Sequence, residues 1–251
     1  MMRKLVFAAL LASNSPSWAT AADAFRDGRF AEAVTQGRVE ATAASLILAG
    51  RAALSIAGYQ STDKASAKLA VERAVRDFDA AIAKAPNSLE ARTQKAIAIG
   101  YLAKLGQSPG EAKAARQQME AVLARDSNFA LANTALGGWH GGGVATLGAF
   151  MASTVLGASR KDMDRYFAAA LAREPRVVIH PVTYAFTLLD ISAKNAPRAT
   201  ALLKSAVALP TRDGFEVQNR KAATQVLALL TAGDAAGARA LSRRLQPFGT
   251  L

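Results

Sequence analysis

The chain has no cysteine, and that absence removes several chemistries at once. A disulfide framework, a thiolate metal site, a cysteine nucleophile and a lipid-modified N-terminal cysteine all require a thiol. Histidine is nearly as scarce, since the sequence holds only His140 and His180. Metal sites usually take three or four protein ligands, and no carboxylates cluster at ligand spacing around either imidazole, so no metal is expected. His180 precedes Pro181 at a helix start, where capping or a surface position is the ordinary role, and His140 reads as a packed, hydrogen-bonded ring. Serine catalysis would need a G-x-S-x-G elbow or a comparable signal, and none is present. Gly141-Gly142-Gly143 follows no strand, precedes no G-K-[ST] and does not fit G-x-G-x-x-G, so it reads as a flexible exit from a helix ending near His140. With so poor an inventory, neither catalysis nor a cofactor is expected.

Acidic residues are also short, with 19 Asp and Glu against 31 Lys and Arg, for a net charge of +12. A basic chain favours acidic partners. Its positive residues are nevertheless spread along the sequence, with only short clusters such as Arg160-Lys161 and Arg243-Arg244. No zinc-finger, RNP-like or basic-zipper motif accompanies them, so nucleic acid is not the expected partner. The start of the chain points to export. Met1-Met2-Arg3-Lys4 is basic, Leu5 to Ala12 is a short apolar run, and Ala19-Thr20-Ala21 is a small-x-small site. This is the pattern of a secretory signal peptide over residues 1–21, cleaved after Ala21, and its apolar run is too short to span a bilayer. The mature chain, residues 22–251, would be periplasmic or secreted, carry a net charge of +10 after losing Arg3 and Lys4, and contain no transmembrane span.

Aromatics make up only 6% of the chain while alanine is abundant, which suits closely packed helices better than a sheet. Ala74, Phe78, Ala81 and Pro86 have the small, aromatic, small, proline spacing of the second helix in a tetratricopeptide repeat. Small residues let helices approach, the aromatic fills the groove between them, and proline stops the helix. Gly50 lies where a small residue would admit a neighbouring helix. The next pair runs from Leu89 to Leu105 and from Gly110 to Arg125, repeating the spacing at Ala115, Met119 and Val122. Lys95 departs from it, since the repeat normally has a buried leucine there. Leu136-Gly137 with His140 matches the core of a first helix, and Tyr166-Phe167, Ala170 and Pro175 match its second. A further unit has Tyr184, Ala185 and Leu188, then Ala199, Leu203 and Ala206. Asp213 caps a helix through Leu230, and Gly233-Asp234 starts a last one ending before Pro247. The expected fold is all-α, a tetratricopeptide-like α-solenoid of antiparallel helix pairs.

The Leu136-Gly137-Gly138-Trp139 run, the insertion ending near Gly157-Ala158-Ser159, Tyr166-Phe167 with Glu174-Pro175, and Leu209-Pro210 together carry a resemblance. Over roughly Ala65 to Leu230 the chain resembles the tetratricopeptide-like domain of the regulator of microtubule dynamics proteins, including their bacterial relatives. That resemblance implies a superhelix of paired helices and no catalytic residue. The eukaryotic link to microtubules does not carry over to an exported chain. A looser likeness is to periplasmic tetratricopeptide-like components that accompany TRAP transporters. Those are typically lipoproteins, and this chain lacks the anchoring cysteine.

Between Gly141 and Ser159 the repeat is interrupted by an insertion within an uncharged run from Ser127 to Ser159. Val144, Leu147, Phe150, Met151, Val155 and Leu156 leave such a helix little polar face, and burial inside the array is its expected place, ahead of a groove cover, an oligomer interface or membrane contact. Tyr101, Trp139, His140, Tyr184 and Phe186 belong to first helices, which line the concave face in this repeat class, where rings can grip a peptide or fill the core between repeats. The expected function is an interaction scaffold holding a protein segment there. The alternative is a carrier or transporter accessory, with the insertion closing a pocket over a small hydrophobic ligand.

Overall fold

The computed structural model describes residues 20–251, and the predicted signal peptide falls almost entirely outside them. Among the described residues all regular structure is helical. Helices α1 (Ala21–Arg26), α2 (Phe30–Glu40), α3 (Ala43–Tyr59) and α4 (Lys64–Lys84) are followed by α5 (Leu89–Gly106), α6 (Pro109–Arg125), α7 (Ala130–Met151) and α8 (Arg160–Arg173). The chain then continues through α9 (Ile179–Ile191), α10 (Ala196–Val207), α11 (Gly214–Thr231) and α12 (Ala235–Arg244). A π-helical turn over Ala152–Leu156 and a 3-10 turn over Ala193–Asn195 complete the elements.

Most boundaries follow from local chemistry. Thr42, Asp63, Ser88, Ser108, Ser159, Asp213 and Asp234 each accept a backbone N–H of the helix they precede. Each such cap offsets an orphan donor and is worth about 1 kcal/mol. Pro86, Pro175, Pro210 and Pro247 all lie just beyond helix ends, where a missing N–H costs nothing.

The repeat spacing becomes packing. Ala74, Phe78 and Ala81 of α4 are fully buried, as are Phe167 and Ala170 of α8. A Cβ built on Gly50 of α3 would lie 2.5 Å from the Phe78 ring, and one on Gly137 of α7 would lie 2.7 Å from Phe167. In each case a bare backbone seats a phenylalanine from the paired helix. Lys95, the departure from the repeat, reaches Asp79 of α4 at 2.6 Å. It links the pair through charge where leucine would use apolar contact.

Helices α3, α5, α7, α9 and α11 touch in succession, and α4, α6, α8 and α10 each pack against the two that flank them in sequence. The two ends of the described residues also come together. Helix α1 contacts α11, Arg51 pairs with Asp213 at 3.1 Å, and Tyr59 meets Phe215 edge-on at 6.2 Å. In a simple linear array each repeat would touch only its neighbours. Here the C-terminal segment returns to α3 and α5 and adds Phe248 to their core.

The insertion differs from its expected form in two respects. Gly141-Gly142-Gly143 is not an exit from the helix, because α7 runs on to Met151 and breaks instead at Gly148, where φ is +76°. Close contact is the reason for the first glycine, since a Cβ at Gly141 would fall 2.0 Å from Thr187 Cγ2. Nor is the segment simply buried. Val144, Ala152 and Ala158 are buried, whereas Leu147, Phe150 and Met151 are exposed. Helix breakage at Gly148 turns one side of the segment inward and leaves the other projecting.

Candidate functional site

The residues that join the insertion to the helical array form a cluster of polar and aromatic side chains. His140 is 1% exposed, and its Nδ1 accepts the backbone N–H of Ser159 at 3.1 Å. The neutral ring therefore carries its proton on Nε2, which is buried without a hydrogen-bond partner. Tyr166 stacks on the ring at 5.5 Å, and Trp139 meets it edge-on at 5.0 Å. The Trp139 indole N–H donates to the Ala112 carbonyl at 2.8 Å. Arg116 lies over the Trp139 ring at 5.3 Å and donates to the Leu156 and Gly157 carbonyls at 3.3 and 3.2 Å. Helix α6 thus holds both ends of the insertion.

Burial drives the His140 pKa down to about 4, with Arg116 and Arg165 lowering it further and Asp162 and Glu120 opposing them. In the unfolded chain the ring titrates near its ordinary value of 6.5. Unfolded chains therefore take up a proton that the folded ring refuses. The stability that this neutral ring supports is complete above about pH 6.5 and is lost as pH falls toward 4. A thermal melt followed across that window should show Tm dropping on acidification. His140→Asn, whose amide oxygen accepts the same N–H without titrating, should flatten the profile, and an unchanged profile would remove His140 as the cause.

Of the other residues expected to meet a partner, Tyr184 stacks on Phe167 at 4.4 Å and donates its hydroxyl to the Asp164 carboxylate. Arg198 covers that ring at 4.7 Å and pairs with Asp164 at 3.0 Å. Burial raises the Tyr184 phenol above its usual range. Phe186 is buried among Val182, Leu203 and Val226. Tyr101 lies 5.0 Å edge-on to Phe248. These rings are packed, not displayed, because α9 is covered by α7, α10, α11 and α12 and α5 by the returning C-terminus. His180 is likewise no surface residue. It is 1% exposed, takes Thr134 Oγ1 on Nδ1 at 2.6 Å and faces Glu174 from Nε2 at 3.2 Å.

Two features escaped the sequence reading. The first is the seat of the C-terminal segment. Phe248 donates its N–H to the Gly58 carbonyl at 2.7 Å, and Lys104 donates to the Pro247 carbonyl at 2.8 Å. Phe248 itself holds a left-handed backbone at φ +63°, uncommon for a bulky side chain. The second is a cavity of about 300 Å³ between α2, α3 and α4, lined by Val34, Ala53, Ile56, Leu69 and Ala70 with Arg38 and Arg73. Arg38 is engaged with Asp77 at 2.8 Å. Pro247 only announces a helix end, and the cavity joins residues far apart in sequence, so neither had a local signal.

Among the described residues no three His, Asp or Glu side chains converge to hold a metal ion. No single described helix is long and apolar enough to cross a membrane; only the bent pair Ala130–Leu156 with Arg160–Arg173 reaches that length and composition. No protein-family model and no curated protein matches the chain.

Proposed function

We propose that the chain is an exported tetratricopeptide-like α-solenoid that works as an interaction scaffold, holding a segment of another protein along its first-helix row. Three packing features support this reading: the row α3, α5, α7, α9 and α11, the helices set between its members, and the repeated seating of phenylalanine on glycine. They fit the resemblance to the regulator of microtubule dynamics domain. The observation that carries the binding role is the seat of Phe248. An irregular segment is already held there by one buried aromatic anchor, one backbone hydrogen bond and a lysine over its carbonyl. Segment recognition by buried anchors has this form.

The N-terminal geometry refines the export reading. Thr20 caps α1 through a reciprocal pair with Asp23, and the Ala21 N–H donates to Glu40 at 2.7 Å. Cleavage after Ala21 would remove both contacts. Ser17-Trp18-Ala19 offers an equivalent small-x-small site two residues earlier and leaves both intact.

Chemical crosslinking of the full chain, recovered from the periplasm of a Gram-negative host, tests the whole proposal. The recovered protein should begin at Thr20 by intact mass. Incubated with envelope extract, it should give partner crosslinks concentrated on the first-helix row, at Lys221 of α11 and, where a partner segment displaces Pro247, at Lys104 of α5. Retention of Met1, or crosslinks scattered evenly over the surface, would overturn the proposal. The cavity between α2, α3 and α4 favours a second reading, the carrier of a small apolar ligand, with Arg73 at its margin suited to an anionic head. A lipid-like mass retained in native mass spectrometry would select it over the scaffold.

A further inference from the structure

Leu147, Phe150 and Met151 are 41%, 79% and 47% exposed, and they account for half of the large exposed apolar side chains among the described residues. They fall within five consecutive positions in the middle of the insertion. Their base is firmly held. Val144, Ala152 and Ala158 pack with Trp139, Leu156 and Ile191, Arg116 holds the Leu156 and Gly157 carbonyls, and His140 holds Ser159. Gly148 at φ +76° and the π-helical turn return the chain, so the three side chains project from an anchored wedge.

We propose that this wedge docks onto an anionic lipid surface. No charged residue lies between Ser127 and Ser159, so the tip itself carries nothing that resists entry into the interfacial region. The first charges after it are Arg160 and Lys161, both exposed, and Lys113 is exposed on α6, the helix that packs against the π-helical turn. Of the acids on these elements, Glu120 pairs with Arg116 at 2.7 Å and Asp162 is held by Ser159 at 2.7 Å and Arg165 at 3.1 Å, which leaves Glu111, exposed on α6, against three exposed cations. Exposed apolar side chains with a surplus of cations on the flanking elements match acyl chains beneath anionic head groups. A second copy fits less well. Two-fold pairing of the tip would bring Arg160 and Lys161 against their own images on a chain of net charge +12. Three side chains also fall far short of the roughly 800 Å² per partner of a stable interface. The wedge dips into one leaflet and does not span. This inference stands apart from the scaffold reading and does not depend on it.

Flotation of the full chain with phosphatidylcholine vesicles, with and without a phosphatidylglycerol fraction, tests it. The chain should float only with the anionic vesicles, and less so as salt is raised. Phe150→Asp should reduce the floated fraction about tenfold, while its thermal melt stays that of the wild type, because the ring is solvent-exposed. The double substitution Arg160→Glu with Lys161→Glu should weaken flotation severalfold at low salt. Three results would overturn the proposal: no flotation with anionic vesicles, flotation insensitive to Phe150→Asp, or a concentration-dependent dimer abolished by that substitution.

Discussion

Replacing Phe167 by alanine should cost about 3–5 kcal/mol of folding stability, and Phe78→Ala a similar amount. Both rings are fully buried. Each lies on a glycine of the paired helix, Phe167 on Gly137 and Phe78 on Gly50, so the void left by truncation is walled by backbone that cannot fold inward. Phe167 also forfeits its stack with Tyr184. Such a loss is a large share of the 5–15 kcal/mol typical of a folded domain. Urea unfolding should report it as a lower midpoint at an unchanged slope. Phe150→Ala, which truncates a ring 79% exposed, should stay within about 0.5 kcal/mol of wild type. If the two buried positions behaved like Phe150, the glycine–phenylalanine seats would not be what holds the helix pairs.

Adjacent glycines of α7 should respond to alanine with opposite signs. A Cβ at Gly141 would lie 2.0 Å from Thr187 Cγ2 and 2.8 Å from Met163 Sδ, closer than real contacts allow. Thr187 is branched at Cβ and buried on α9, so the added methyl must push α7 and α9 apart. Overpacking of this kind costs about 1–3 kcal/mol. Gly142, the next residue, has no atom within 4 Å of a built Cβ and remains helical. Gly142→Ala should therefore stabilise by about 0.5–1 kcal/mol, since alanine loses less backbone entropy in a helix. Thermal melts of the two variants beside wild type decide the matter. Equal shifts of the same sign would mean that Gly141 is not a contact point and that α7 and α9 tolerate separation.

The helices and most of their ends were legible because they depend on neighbours in the chain. Asp213 and Asp234 announce helix starts by side chains that reach only three residues ahead, and each caps as expected. The spacing of Ala74, Phe78 and Ala81 likewise sets one buried face whatever helix comes to cover it. The same local reasoning misread Gly141-Gly142-Gly143. Glycine is both a breaker and a point of close approach, and only the presence of Thr187, on another helix, selects between the two.

The candidate surfaces were less legible for a related reason. For Tyr184 and Phe186 the sequence leaves open whether the rings grip a partner or fill the core between repeats, because the exposure of a ring depends on how many helices surround its own, and α9 has several. Phe150 was expected to be buried because its segment lacks charge, yet apolarity permits burial without supplying a partner to bury against.

What the amino-acid order settles by itself is a helical chain with defined starts, stops and one apolar face per helix, because propensity, caps and periodicity act within a few residues. The return of Phe248 to α3 and α5, the meeting of α1 with α11 and the projection of Leu147, Phe150 and Met151 were decided only in three dimensions. Each depends on the angle at which one packed helix sets the next, and small angles summed over a dozen helices determine what finally meets.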